Sequence, residues 1–313
     1  MTATKAPLFE ISLTDLAQTL EIAVGELKED LKKQFNLKQL PITLSPELVR
    51  QFLKSRGTIY EKKIISVQML KGGVAKTTSV LNIGLRAAMY GARVLFIDMD
   101  QQANLTFSLG VESEDMPVWL DIVERKVSIE QAVVQLEPHV DLIPSNLNNS
   151  VLDRILLNSN RNWAQAVSNP LNMIKDNYDL ILIDTAPALS AINTAVTVAS
   201  DIVLLPMTPD KFSLLGLRKN LDELAEIKKD FNLNFTNRIL LTKFDAREKF
   251  SHEMLKVCQD EYGESLIKSY IRSSSEAKNS IRSNKTLFQG RSTAKEDYDR
   301  VTRSIMGMVE EAK

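Results

Sequence analysis

The chain has 313 residues, with 39 Lys and Arg against 40 Asp and Glu, so its formal net charge is −1. With 44% hydrophobic residues, 25% charged residues and only 11 Gly and 10 Pro, it has the proportions of a globular protein, which excludes collagenous, disordered and disulfide-scaffold classes. The single cysteine, Cys258, can form no internal disulfide and cannot alone ligate an iron–sulfur cluster, so a reducing, cytoplasmic setting is expected. No apolar run approaches the ~20 residues of a membrane span, and the start lacks the basic-then-apolar order of a signal peptide.

Residues 1–62 read as helices only. Leu16, Ala17, Leu20, Ile22, Leu27 and Leu31 are spaced to bury one side of a first helix, pass a tight turn and bury one side of a second, the outline of a small all-α helix-turn-helix module. Ser45, Pro46 and Glu47 look like an N-cap followed by proline at the first helical position, and Leu48, Val49, Phe52 and Leu53 give the next helix its apolar stripe. The second helix carries Glu26, Glu29 and Asp30 against Lys28, Lys32 and Lys33, a balance that argues against strong base reading. Operator binding and a dimerisation or partner-docking role both stay open for this module.

From residue 63 to the end, short aliphatic runs alternate with amphipathic stretches. The runs lie at 64–69, 94–97, 140–144, 180–183, 202–205 and 239–241, with a further strand at 266–271. Helical patterns fall at 78–90, 192–199, 214–229 and 248–261. Apolar strands alternating with helices predict a mostly parallel α/β sheet covered on both faces.

Directly after the first run comes Leu70-Lys71-Gly72-Gly73-Val74-Ala75-Lys76-Thr77-Thr78, and then a helix. A glycine-rich turn at a helix N-terminus points backbone N–H groups and the positive end of the helix dipole at an anion, so this is a phosphate-binding loop. In such a loop Lys76 bridges the β- and γ-phosphates and the Thr77 hydroxyl is a Mg²⁺ ligand. The second run ends in Asp98-Met99-Asp100, two carboxylates at i and i+2 that project to the same side of the strand end. The run at 180–183 ends in Asp184, the Walker B arrangement in which a carboxylate at the carboxyl edge of a sheet holds Mg²⁺.

The loop departs from G-x-x-x-x-G-K-[ST], because Leu70 and Ala75 occupy its glycine positions and an extra lysine, Lys71, stands at the front. It resembles the deviant Walker A motif of the ParA/MinD superfamily of ATPases. The sequence from Asp98 to Thr106 resembles that family's second motif, with Gln101 in place of the usual proline, and the resemblance runs in order from about residue 62 to the C-terminus. It implies a doubly wound P-loop sheet with ATP and Mg²⁺ at the carboxyl ends of the strands, as the crevice rule for such sheets also expects. It further implies that Lys71 reaches across a nucleotide-sandwich dimer, that Asp100 orients the attacking water and that Asp98 supports the Mg²⁺ shell. Ala75 replaces the commoner glycine, at ~1 kcal/mol of strain if the position needs positive φ. Thr242, at the end of the run at 239–241, is either a contact for adenine or a strand cap.

Between 272 and 295 six basic residues, Arg272, Lys278, Arg282, Lys285, Arg291 and Lys295, face one acid, Glu276. This patch resembles the DNA-contacting surface of partition ATPases. The last helical stretch, 296–313, contains Glu296, Asp297, Asp299, Glu310 and Glu311, unlike the basic membrane helix of MinD-type members, so no membrane partner is expected. The resemblance as a whole implies a cytoplasmic, nucleoid-associated ATPase that partitions DNA, forms an ATP-dependent homodimer, binds DNA non-specifically and is released by hydrolysis that a ParB-type protein stimulates. The alternatives are an ATPase that positions a protein cargo through an adaptor on the same nucleoid track, and a nucleotide-gated transcriptional regulator acting through the N-terminal module.

Overall fold

The computed structural model describes residues 9–158, 162–280, 286–290 and 292–308, without the side chains of residues 278–280. Its strands are β1 (Ile11–Ser12), β2 (Thr43–Leu44), β3 (Lys63–Val67), β4 (Val94–Asp98), β5 (Val134–Glu137), β6 (Val140–Ile143), β7 (Leu180–Asp184), β8 (Ile202–Met207) and β9 (Thr236–Leu241). Seven of them form one sheet in the order β5-β6-β4-β7-β3-β8-β9. All neighbours are parallel except β5 and β6.

Side-chain alternation explains the apolar runs. Val94 and Phe96 of β4 pack into a core that includes Ile83 and Ala87 of the helix Lys76–Met89, whereas Leu95 and Ile97 pack on the other face with Trp119, Ile174 and Val196. Both faces are covered, so the central strands β4 and β7 are apolar up to the acids that end them. Register fixes where the strands end: Val67 lies opposite Asp184, and Asp184 lies opposite Asp98. The ends of β3, β4 and β7 therefore meet at one carboxyl edge.

The phosphate-loop helix lies close on this sheet. A Cβ built on Gly84 would come within 2.2 Å of the Phe96 ring and 2.8 Å of Leu182. Gly84→Ala is expected to destabilise the fold by about 2 kcal/mol, because overpacking outweighs the gain in helix propensity. Thermal unfolding checks this, and an unchanged or raised Tm would contradict the tight contact.

Two expectations are corrected. Residues 1–62 are not helical alone: besides the helices Leu13–Thr19, Val24–Phe35 and Pro46–Ser55, β1 and β2 pair antiparallel, with Ile11 opposite Leu44. Residues 266–271 form no regular strand, only isolated bridges from Ile239 to Leu266 and from Phe244 to Arg272.

Residues 9–55 pack against the phosphate-loop helix. Leu16, Leu31 and Phe52 share one core with Ile83, Ala87 and Tyr90 and with Tyr298 and Val301 of the C-terminal helix Thr293–Ile305. Buried Arg50 donates to the Gly91 carbonyl at 2.7 Å and to Asp179 at 2.5 Å, and Arg93 adds a second cation at 3.0 Å. Burial alone would raise the Asp179 pKa, but the hydrogen bonds from Arg50 and Arg93 outweigh it and hold the group below its ordinary value. Gly91 sits at φ +79°, and a Cβ there would lie 2.6 Å from the Arg50 backbone. Among the described residues no helix is long and apolar enough to cross a membrane.

Candidate functional site

The loop between β3 and the helix Lys76–Met89 turns through two left-handed residues, Gly73 (φ +74°) and Ala75 (φ +69°). The alanine therefore does carry the strain expected of it, ~1 kcal/mol. A Cβ on Gly72 or Gly73 would meet nothing within 4 Å, so the loop backbone is open to a ligand there. Val74 is buried, and the Thr78 carbonyl accepts from Asn82 within the helix. Lys76 is itself buried, and among the described residues its Nζ has two long contacts, the carbonyls of Met69 at 3.3 Å and Lys71 at 3.4 Å. Burial pushes its pKa down, against the pull of Asp184 and Asp100. An ammonium desolvated this far and bonded this weakly is set up to gain from an anion.

Thr77 donates its hydroxyl to Asp184 Oδ2 at 2.6 Å. Asp184 is fully buried and its other oxygen, Oδ1, has no partner. Burial first, and the neighbouring Asp98 charge second, push its pKa well above the ordinary carboxylate range. A cation at Oδ1 would relieve both. Among the described residues no group of three or more His, Cys, Asp or Glu is arranged around a metal position. Mg²⁺ is bound through one or two protein oxygens and completes its shell with water and phosphate, and Asp184 Oδ1 and the Thr77 hydroxyl are the oxygens that could serve it.

Asp98 has a different task. Its Oδ1 accepts the Asp100 N–H at 3.1 Å, and its Oδ2 accepts both the N–H and the hydroxyl of Thr106, at 2.9 and 2.8 Å. Burial raises its pKa to about 6 in spite of these bonds. Both oxygens are engaged in shaping the loop that follows β4, through the Asp100 N–H and Thr106. Asp100 stays half-exposed, with Oδ1 accepting the Gln102 N–H at 2.9 Å.

Lys71 is turned away from its own loop. Its Nζ donates to both oxygens of Asp210, at 2.8 and 2.7 Å, and to Ser213 Oγ at 3.0 Å. Asp210 caps the helix Lys211–Asp230, accepting the Ser213 N–H at 2.9 Å. Burial would raise its pKa, but the bonds from Lys71, Thr208 and Ser213 hold it well below the usual range. The sequence analysis did not single out Asp210. The signal was there, an acid after a strand and three residues before a serine at a helix start. It also missed Asn220, whose Oδ1 accepts the Leu70 N–H at 3.0 Å.

Of the two readings of Thr242, adenine contact or strand cap, the position of its hydroxyl fits the strand cap. Its hydroxyl is fully buried and bonds the carbonyls of Val74 and Met207, at 3.0 and 3.2 Å, so it braces the phosphate loop from below. Neighbouring Lys243 donates to the Gly73 carbonyl. In the basic segment, Arg272 is paired with Asp297 at 2.8 Å and Glu296 at 3.3 Å, and Lys295 with Asp15 at 2.8 Å. Arg282, Lys285, Arg291 and the side chain of Lys278 lie outside the described residues.

Similarity to known proteins agrees with this arrangement. The family model for the AAA domain matches residues 62–237. An uncharacterized protein of Methanocaldococcus jannaschii is 34% identical over 209 residues, covering 64% of this chain and 80% of that one. The sporulation initiation inhibitor protein Soj of Bacillus subtilis is 29% identical over 212 residues, covering 67% and 83%. The ATP complex of McdA from Cyanothece superposes with a TM-score of 0.73 at 23% identity, covering 81% of this chain and 99% of the other, which bears on the fold alone. A phosphate loop with a leading lysine, a buried Asp–Thr pair beside it and relatives of this kind have one common reading: the chain belongs to the ParA/MinD superfamily of P-loop ATPases.

Proposed function

We propose that the protein hydrolyses ATP with Mg²⁺ in a two-chain sandwich and uses the cycle to partition DNA. Lys76 and the loop N–H groups hold the β- and γ-phosphates, Thr77 and Asp184 hold the cation, and Asp100 aligns a water with the γ-phosphorus. When bound, Mg²⁺ neutralises charge that develops on the transferring phosphate. The observation that carries the reading is Lys71, which makes its ion pair with Asp210 and leaves its own phosphate loop to Lys76. A cation stationed at the mouth of the site can serve the phosphates of a second chain. Phe107, Leu189, Phe212 and Leu215 support this, because all four are exposed apolar side chains that follow the strand ends at the same edge. Burying such groups against a second copy is favourable.

On this reading the dimer binds DNA non-specifically through the basic segment between 272 and 295, and a ParB-type protein or another adaptor stimulates hydrolysis and release. Arg272 and Lys295 already have acidic partners, so Lys278, Arg282 and Lys285 are the residues to replace. Changing all three to glutamate is expected to lower affinity for unrelated duplexes and to flatten the slope of log K against log salt by about 5 over the two chains of the dimer, at ~0.9 per phosphate contact. An anisotropy titration at several salt concentrations with ATP and Mg²⁺ measures both. Wild-type affinity in the triple variant, or equally tight binding without nucleotide, would remove DNA from the account.

A further inference from the structure

A groove of about 540 Å³ opens on the outside of the N-terminal layer, remote in sequence from the nucleotide site. One wall is the helix Val24–Phe35, which presents Lys28 and Lys32 one turn apart, and the segment after it adds Lys38. None of the eleven lining residues is acidic. All three lysines are exposed, and none of their ammonium groups has a hydrogen bond or ion pair to another of the described residues. Apolar surface lies between the charges. Leu13, Val24, Leu40 and Pro41 line the groove, and Ile42 stands at its lip, 89% exposed.

We propose that this groove docks a short segment of another protein that carries carboxylates beside an aliphatic anchor. Charge complementarity argues for it: three unpaired ammonium groups converge on one concavity that holds no acid to neutralise them. The apolar lip selects a peptide over a nucleic acid, because a phosphodiester backbone offers no aliphatic group to cover Ile42, Pro41 and Leu40. The same helix carries Glu26, Glu29 and Asp30, which a duplex laid along it would meet as like charges. The segment binds a layer that is held rigidly, since Arg50 ties the helix Pro46–Ser55 to Gly91 and Asp179, and Thr19 bonds Tyr90 at 2.8 Å.

The test is fluorescence anisotropy on the full chain with a labelled twelve-residue peptide in which glutamates at i and i+4 flank leucines. A second peptide has lysine for each glutamate, and an unlabelled 20-base-pair duplex serves as competitor. The acidic peptide is expected to bind and to weaken with salt. Its affinity should drop about tenfold or more in Lys28→Glu/Lys32→Glu/Lys38→Glu and about threefold in Ile42→Ala, while the basic peptide does not bind. These side chains are exposed, and unchanged circular dichroism and ATP binding in the variants establish that the effect is local. No binding of the acidic peptide, equal binding by the triple variant, or displacement by the duplex would overturn the proposal. ATP-driven dimerisation is read separately, so loss of one result leaves the other standing.

Discussion

Lys76→Ala is expected to abolish nucleotide binding, the largest effect of any single change in the site. In the free protein the Lys76 ammonium is buried with two contacts among the described residues, both longer than 3.2 Å. Its desolvation is thus poorly offset until phosphate arrives, and a charge-assisted bond to phosphate is correspondingly strong. Removing it takes away the buried lysine of the loop and leaves Asp184 and Asp100 without the cation that interacts with both. A loss of about 3–5 kcal/mol in binding corresponds to a factor of roughly a hundred to several thousand in Kd. Titration with a fluorescent ATP analogue measures it. Binding within threefold of wild type would show that Lys76 does not hold phosphate.

Lys71→Ala is expected to behave differently: nucleotide binding stays within a few-fold of wild type, and stimulated hydrolysis disappears. The argument is positional, since Lys71 is paired with Asp210 across 139 residues of sequence and its own site does not depend on it. A group used only after a second chain arrives lowers turnover and leaves binding intact. Asp210→Asn gives the complementary result. Asparagine still caps the helix, but the ion pair is lost, so Lys71 is released without unfolding the segment. Because the pair is about a third exposed, its release is worth ~0.2–1 kcal/mol, at most about a fivefold gain in ATP-dependent association. The pKa of Asp210 is depressed, so the pair is intact above the ordinary carboxylate pKa and lost as pH falls through the lowered value. At neutral pH the comparison is therefore free of protonation effects. Equal loss of nucleotide binding in Lys71→Ala and Lys76→Ala would remove the distinction between the two lysines.

What could be read in advance was local. Strand, glycine turn, Lys76-Thr77 and helix follow one another in sequence, and each constrains the next, so the phosphate loop was legible residue by residue. The acids that end β4 and β7 were legible because doubly apolar runs mark buried parallel strands, and Asp98 and Asp184 are the first polar groups after them. Their division of labour was not legible. Only the fold shows that Thr106 and the Asp100 N–H saturate Asp98 while Asp184 keeps a free oxygen. The β1–β2 pair is two residues long on each side, too short for any alternation to register. The edge strand β5 alternates in burial over only four residues and was passed over for the same reason. Thr242 looked available at a strand end, and its hydroxyl turned inward because Val74 and Met207 offer carbonyls there. Arg50 gave no signal as the tie between N-terminal layer and sheet, since Asp179 lies 129 residues away.

On the proposed reading, ATP joins two chains through this site and hydrolysis parts them. The solution mass of Asp100→Ala, with ATP and Mg²⁺ and then with ADP and Mg²⁺, tests this. Asp100 is half-exposed and its side chain bonds only the Gln102 N–H among the described residues, so its loss should leave the fold and the phosphate contacts in place while removing the group that aligns water. The account predicts a stable species of twice the 35.2 kDa chain mass with ATP and a single chain with ADP. A monomer under both conditions, or a dimer that forms equally well with ADP, would contradict it.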